Sequence, residues 1–265
     1  STGSPVLGVQ FLATGTYTIT DLTGNLCGLN SLSRTICVEA PPHAHFSLAP
    51  PGTCVPQVLN PVNTSSNPNS CRTTYQWFTD FTSSICNSTN GAAMTGANTN
   101  TPQITISQAG GYNIRLRATN SCGFVDSTMT INLAAAPQLA LYPVGPICEG
   151  DFVQPVVQPQ ACGTPLGTFT WSFPGGTPVS STGQNAPNVQ YQTFGNYTVS
   201  VSASSACGPG NANAPLIVND TPPSAQAAAV DSTLCQGQTL NLLANTITNA
   251  TYQWSGPGFS SGLED

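Results

Sequence analysis

Ten cysteines offer the most chemistry in this sequence, and their spacing restricts what that chemistry can be. The closest two, Cys27 and Cys37, are separated by nine residues, and no C-x-x-C occurs. That removes zinc-finger spacing and the thioredoxin-like dithiol, and leaves disulfides formed in an oxidising compartment. His43 and His45 in "PPHAHF" are the only histidines. An H-x-H pair on a strand can hold a metal. These two stand beside prolines with no acid or cysteine near in sequence, and read as solvent-facing joint residues. Ten acids are scattered along the chain. Glu149 and Asp151 of "CEGD" could offer oxygens to Ca²⁺ at a joint, with Asp80 or Asp220 joining. Calcium takes about six to eight oxygens, and no dense acidic loop supplies them. No Ser-His-Asp context, G-x-S-x-G or paired carboxylate in an apolar setting is visible. There is no lysine, which excludes a Schiff base or a Lys–Asn isopeptide. The expectation is a chain that is not an enzyme and has no cofactor.

The background around these residues is unusual. Only 5% of the 265 residues are charged, against about a quarter in ordinary soluble domains. Solubility must come from Ser, Thr, Asn and Gln. The net charge of −6 and four arginines argue against nucleic acid, which needs clustered cations. Hydrophobic residues make up 39% of the chain and alternate with polar ones, as in folded β structure rather than disorder. No run of apolar residues is long enough to span a membrane as a helix. No basic, apolar signal peptide is present, and both ends fall inside a repeat, so the sequence reads as an excerpt of something longer.

The elements that must position the cysteines are written several times over. Tyr17, Tyr112 and Tyr197 are each followed ten residues later by a cysteine and then a glycine: Cys27, Cys122 and Cys207. Upstream stand aromatic motifs around tryptophan, "TYQWF" with Trp77, "TFTWSF" with Trp171 and "TYQWSG" with Trp254. Further upstream are Cys54, Cys148 and Cys235. Cys54 precedes Trp77 by 23 residues, and Cys148 precedes Trp171 by 23. Such periodicity marks tandem structural units, here of roughly 85–95 residues, the size of a small β-sandwich. The chain then divides into the tail of one unit (1–39), two whole units (40–134 and 135–219) and the front of a fourth (220–265), joined at short proline-containing segments.

Within a unit the period is two. Tyr112, Ile114, Leu116 and Ala118 alternate with Asn113, Arg115, Arg117 and Thr119, and Tyr197, Val199, Val201 and Ala203 alternate with Thr198, Ser200 and Ser202. This predicts half-buried antiparallel strands and an all-β, two-sheet class, with Trp77, Tyr112, Trp171, Tyr197 and Trp254 in the cores. A tyrosine heading the penultimate strand resembles the tyrosine corner of immunoglobulin domains. The antibody inter-sheet disulfide is missing, since Ile19, Ile114 and Val199 stand where its second cysteine would be.

Residues 171–208 are more specific. Trp171, Phe173, Gly175, Gly176, Pro187, Val189, Tyr191, Gly195, Tyr197, Val199 and Val201 follow the run of a PKD-type domain. The stretch resembles those found in tandem in secreted and surface proteins of Bacteroidota, and "YQWSGPGFSS" at 252–261 is closer to the Ig-like modules of the same large adhesins. The unit at 40–134 departs, with no Pro-Gly-Gly turn and a longer insert after Trp77. The resemblance implies disulfide-stabilised Ig-like and PKD-like sandwiches of a cell-surface adhesin of the gliding-motility type, exported by that phylum's type IX secretion system and attached at the outer membrane. It also implies that the two "DST" triplets are O-glycosylation candidates, at Ser127 and Ser232. N-x-S/T triplets at Asn63, Asn87, Asn196, Asn219 and Asn249 are the chance content of an Asn- and Thr-rich chain.

In a sandwich of that topology, the loop before the tryptophan strand and the turn after the tyrosine strand share an end. That predicts bridges within units: Cys71–Cys122, Cys162–Cys207, and Cys54–Cys86 at the opposite end. Cys27 has Cys37 or a residue outside the sequence as partner, and Cys148 and Cys235 are unassigned. Burial as free thiols is the bland reading for any of them. The functional expectation is a structural stalk and attachment surface whose partners are neighbouring repeats, surface glycans or other filament subunits. Phe78, Phe81 and Phe259 are the aromatics for glycan contact. The alternatives are accessory modules of a secreted hydrolase or a polysaccharide-binding module.

Overall fold

Where the sequence alternates, the chain is extended, and every regular element among the described residues is a strand. The computed structural model of the chain describes residues 8–67, 71–221, 227–229, 233–245 and 251–260. These group into two compact units. The first is Ser1–Ala140 with Gln158–Phe169 and Ser202–Asn211, and the second is Leu141–Val157, Thr170–Val201 and Ala212–Asp265.

The first unit begins with a long hairpin. Strands β1 (Gly15–Asn25) and β2 (Gly28–Val38) pair antiparallel along their whole length, Tyr17 facing Ile36. Next come β3 (Phe46–Ser47), β4 (Gln57–Leu59), β5 (Val62–Asn63), β6 (Thr74–Ser84), β7 (Ala92–Thr95), β8 (Gln103–Ile106), β9 (Gly110–Asn120) and β10 (Gly123–Leu133). One sheet has the order β10-β9-β6, another β4-β8-β7, and β3 pairs with β5. Their facing sides enclose Trp77, Ile104, Ile106, Tyr112, Ile114 and Leu116, all essentially without solvent contact. Burial of each such side chain stabilises the fold by roughly 1.5–3 kcal/mol. The Trp77 indole N–H donates to Thr99 O at 2.9 Å, so the ring is buried without stranding its polar atom.

Strand β11 (Gln138–Leu141) precedes β12 (Ile147–Cys148), β13 (Phe152–Val153) and β14 (Val157–Gln160), which pairs with β11. The later strands are β15 (Phe169–Ser172), β16 (Gly176–Thr177), β17 (Ser180–Thr182), β18 (Val189–Tyr191), β19 (Gly195–Ala203) and β20 (Gly210–Asn219). They form sheets of order β12-β20-β19-β15-β17 and β13-β18-β16. Trp171, Phe173, Val189, Tyr191, Val199 and Leu216 are the buried core of the second unit, with the Trp171 and Phe173 rings stacked at 5.8 Å. Trp171 repeats the indole bond of Trp77, donating to Gly183 O at 3.0 Å. The last strands, Ala227–Ala229 with Leu242–Ala244 and Ser255–Gly256 with Phe259–Ser260, are separate two-stranded pairs.

The all-β expectation holds. The two compact units do not coincide with the borders drawn at 40, 135 and 220, because residues 158–169 and 202–211 of the third sequence repeat group with the second. Two of the core expectations differ as well. Trp77, Tyr112 and Trp171 are buried, whereas Tyr197 and Trp254 are only half-buried. Strand β6 has eleven residues and lays Phe81 on Tyr112 with ring centroids 5.3 Å apart. Strand β15 has four, and the ring against Tyr197 is Tyr191. Trp254 immediately precedes a two-residue pairing, Ser255–Gly256 with Phe259–Ser260.

Candidate functional site

The tyrosine strands set the positions of the cysteines. In all three, the phenol donates to a carbonyl four residues upstream: Tyr17 to Ala13 O at 3.0 Å, Tyr112 to Gln108 O at 2.8 Å and Tyr197 to Thr193 O at 2.9 Å. That is the geometry of a tyrosine corner. At the far end of each strand the turn is tied by a side chain two residues before the cysteine. Asn25 Oδ1 accepts the Cys27 N–H at 2.8 Å, Asn120 Oδ1 that of Cys122 at 2.9 Å, and Ser205 Oγ that of Cys207 at 3.1 Å. Asn and Ser commonly close such turns this way. Three hairpin tips therefore present a cysteine in the same setting.

The upstream cysteines also share a setting. Cys54 forms a parallel bridge with Ala134, and Val55 N–H donates to Ala134 O at 2.9 Å. Cys148 lies parallel to Asn219, and Glu149 N–H donates to Asn219 O at 2.9 Å. Each cysteine is thus held against the last residues of its own repeat's final strand.

Three disulfides are present: Cys37–Cys71, Cys54–Cys207 and Cys86–Cys162. The bridges expected within repeats, Cys71–Cys122, Cys162–Cys207 and Cys54–Cys86, are therefore corrected. Each observed bond joins one sequence repeat to the next. The physical reason lies at Ala134 and Ala135. The bridge that places Cys54 at Ala134 places it where the chain passes into the following repeat, so that repeat's loops are its neighbours. Ala135 N–H donates to Cys162 O at 2.9 Å, and a Cβ on Gly163 (φ +92°) would come within 2.8 Å of the Ala134 methyl. All four residues of the last two bonds belong to the first compact unit. Cys122, expected in a bridge, is free and exposed, as are Cys27, Cys148 and Cys235.

Beside the first of these bonds stands Glu39. Its carboxylate accepts the Ser121 hydroxyl and the backbone N–H groups of Cys71 at 2.8 Å, Arg72 at 2.9 Å and Ser121 at 3.3 Å. The Ser121 hydroxyl, followed by these N–H donors, lowers its pKa from 4.5 to about 2 against a smaller opposing effect of desolvation. Cys37, Glu39 and Cys71 are the single group of three potential metal ligands among the described residues. Two of them are joined as a disulfide, which leaves no thiolate for a metal.

The outer face of β6-β9-β10 gathers much of the chain's scarce charge. Register sets Gln76, Arg117 and Asp126 in one row across the three strands, and Phe78, Arg115 and Thr128 in the next. Arg117 grips Asp126 with two bonds of 2.7 and 2.8 Å, and Arg115 spans Asp126 at 3.2 Å and Asp80 at 3.3 Å. The Arg115 guanidinium lies 4.3 Å over the Phe78 ring and that of Arg117 4.1 Å over Phe124. Arg117 is the main cause of a lowered Asp126 pKa. The result is a plate of planar donors, carboxylates and one largely exposed ring, Phe124 at 60%. Sequence reasoning missed Asp126 and Phe124 as members of this plate. The signal was available, because hairpin pairing about Ser121-Cys122 sets residue 117 opposite 126.

Ser127 is half-buried in mid-strand, opposite Leu116 and on the core-facing side of β10. Ser232 and the side chain of Phe259 lie outside the described residues. Phe78 is half-buried beneath Arg115, and Phe81 packs inward on Tyr112. His43 and His45 are exposed, with the His45 ring nitrogen Nδ1 2.7 Å from Thr64 Oγ1. The acids considered for calcium do not come together in a group of three: Asp151 Oδ2 accepts the Cys148 N–H, and Asp80 pairs with Arg115.

The model of the PKD domain family matches residues 158–218. With the corners, the paired sheets and the recurring cysteine settings, that match decides the architecture. The chain is built of tandem Ig-like repeats. No curated protein matches it. Among solved structures, it is similar to an I-band fragment of titin, at 14% identity over 78% of this chain and 75% of that one, with a TM-score of 0.38. It is also similar to the CbhA fibronectin(III)-like modules of Clostridium thermocellum, at 14% identity over 66% of this chain and 95% of that one, with a TM-score of 0.27. PKD and Ig-like domains are typically non-catalytic structural or binding modules, and disulfide-bonded ones are typical of extracellular proteins.

Proposed function

We propose that these repeats are a stretch of a cell-surface adhesin of the Bacteroidota gliding-motility type, secreted by the type IX route and attached at the outer membrane. They act there as stalk and attachment surface. The observation that supports this reading is the disulfide pattern, in which all three bonds tie successive sequence repeats together. A catalytic accessory module needs only to fold by itself. A stalk under tension gains from covalent links between neighbours, because a pull on the chain then meets sulfur bonds before it meets the joints. The plate around Arg115, Arg117, Asp126 and Phe124 is the attachment surface on this reading, suited to hydroxyl- and carboxylate-bearing glycans by its planar donors and exposed ring.

Immunogold electron microscopy of intact source cells, with antibody raised against residues 135–219, tests the proposal. Gold along filaments projecting from the outer membrane is the expected result. Unlabelled cells with the antigen soluble in the medium would overturn it and favour modules carried by a secreted hydrolase.

A further inference from the structure

We infer that Cys122 and Cys148 each form, with another repeat of this kind, the bond that joins Cys54 to Cys207. The basis is positional equivalence within this chain and does not depend on the adhesin reading.

Cys148 stands where Cys54 stands. Each lies parallel to the end of its repeat's final strand, Cys54 at Ala134 and Cys148 at Asn219, and the residue after each donates its N–H to that position at 2.9 Å. Ala134 and Asn219 each come 22 residues after the corner tyrosine of their repeat, Tyr112 and Tyr197. Cys148 is exposed, and its own N–H is tied to Asp151 Oδ2 at 3.0 Å, so the backbone that presents the thiol is already set. Cys235 sits in the same kind of turn, its N–H donated to Gln238 Oε1 at 3.0 Å.

Cys122 stands where Cys207 stands, at a hairpin tip ten residues after the corner tyrosine and tied two residues back. A second, separate observation shows where its partner belongs. Glu39 comes 22 residues after Tyr17 and is therefore the counterpart of Ala134 and Asn219. The Cys122 thiol lies 3.3 Å from Glu39 O. The tip cysteine of one repeat is thus parked at the strand end of the repeat before it, the place where a Cys54-like residue is held at Ala134. Cys207 completes this arrangement with Cys54, and Cys122 has the same arrangement with one member still to be supplied. The ligand is accordingly a second cysteine: a tip cysteine for Cys148, an upstream cysteine for Cys122. It comes from a repeat in the same polypeptide or in a second copy.

Each bond forms as two thiols release two protons and pass two electrons to a disulfide donor of the oxidoreductase class, which leaves as its dithiol. This is the chemistry that the three existing bonds required.

The test uses the whole secreted protein, collected with N-ethylmaleimide present to cap free thiols. Pepsin digestion at acidic pH suppresses exchange, since the attacking species is the thiolate. Mass spectrometry with and without reduction then maps the links. Peptides carrying Cys122 and Cys148 should bear no maleimide before reduction, with Cys122 linked to an upstream cysteine and Cys148 to a tip cysteine. A non-reducing gel running at the mass of one chain places the partner in the same polypeptide, and a multiple places it in a second copy; both outcomes uphold the inference. Maleimide on either cysteine without reduction would overturn it, as would a Cys71–Cys122 or Cys162–Cys148 link, or absence of the Cys54–Cys207 link on which the equivalence rests. The Cys148→Ser variant gives an independent reading. It should expose one new thiol per chain, on a tip cysteine of another repeat, and no new thiol would count against the bond.

Discussion

Cys54 is bonded to Cys207, 153 residues further along, with their Cα atoms 5.4 Å apart. A bond over so long a loop restricts the unfolded chain severely. Replacing both residues with serine, which leaves no stray thiol, is expected to lower unfolding free energy by about 5 kcal/mol in the chain-entropy account. Urea unfolding of the double variant beside the parent, both unreduced, measures it. A loss below about 1 kcal/mol would mean that the contacts at this tip hold without the bond.

The tyrosine corners should not contribute equally. Tyr112 is fully buried, donates to Gln108 O at 2.8 Å and also lies 3.3 Å from Gly91 N. Tyr197 makes the corner bond while half-exposed. Tyr112→Phe is expected to cost about 1–2 kcal/mol and Tyr197→Phe under about 1, since water can replace the second bond but not the first. Equal losses in thermal melts would contradict this ordering.

Much of this corner geometry was readable beforehand. The tyrosine-to-cysteine spacing identified a repeated hairpin, and the two-residue alternation about Tyr112 and Tyr197 identified the buried faces, because both are local properties of a strand. Disulfide partnering was not readable in the same way. Whether Cys207 meets Cys162 or Cys54 depends on how one repeat abuts the next, and spacing within a repeat says nothing about that. One clue went unused. The repeat at 135–219 contains three cysteines, Cys148, Cys162 and Cys207, an odd number that cannot close entirely on itself. The Arg117–Asp126 pair went unread for a different reason, since it needs the hairpin register as well as the two residue types.

Glu39 makes stability depend on pH in a defined window. Its folded pKa, about 2, lies below the ordinary value of 4.5. The stabilisation is therefore complete above the unfolded value and is lost as pH falls from there through about 2. Glu39→Gln should be less stable than the parent at neutral pH, and the gap between them should close progressively in acid. Parallel urea titrations at neutral, mildly acidic and strongly acidic pH would show it, and a gap that stayed constant would sink the assignment.

The Asp126 plate should respond to salt. Its side chain and that of Arg117 are 27% and 32% exposed, so the pair is partly screened and worth at most about 1 kcal/mol. Asp126→Asn is expected to destabilise by that order at low ionic strength and by less in molar salt, where the screening length is about 3 Å. An unchanged difference would assign its effect to packing over Phe78 and Phe124 instead of to charge.

The bonds between repeats also change what it takes to cut this protein. A peptidase that severs the backbone at 135–137 does not thereby part the flanking stretches, because Cys54–Cys207 and Cys86–Cys162 both span the cut. Release needs two unrelated agents at one place, a protease and a reductant, and an oxidising exterior supplies only the first.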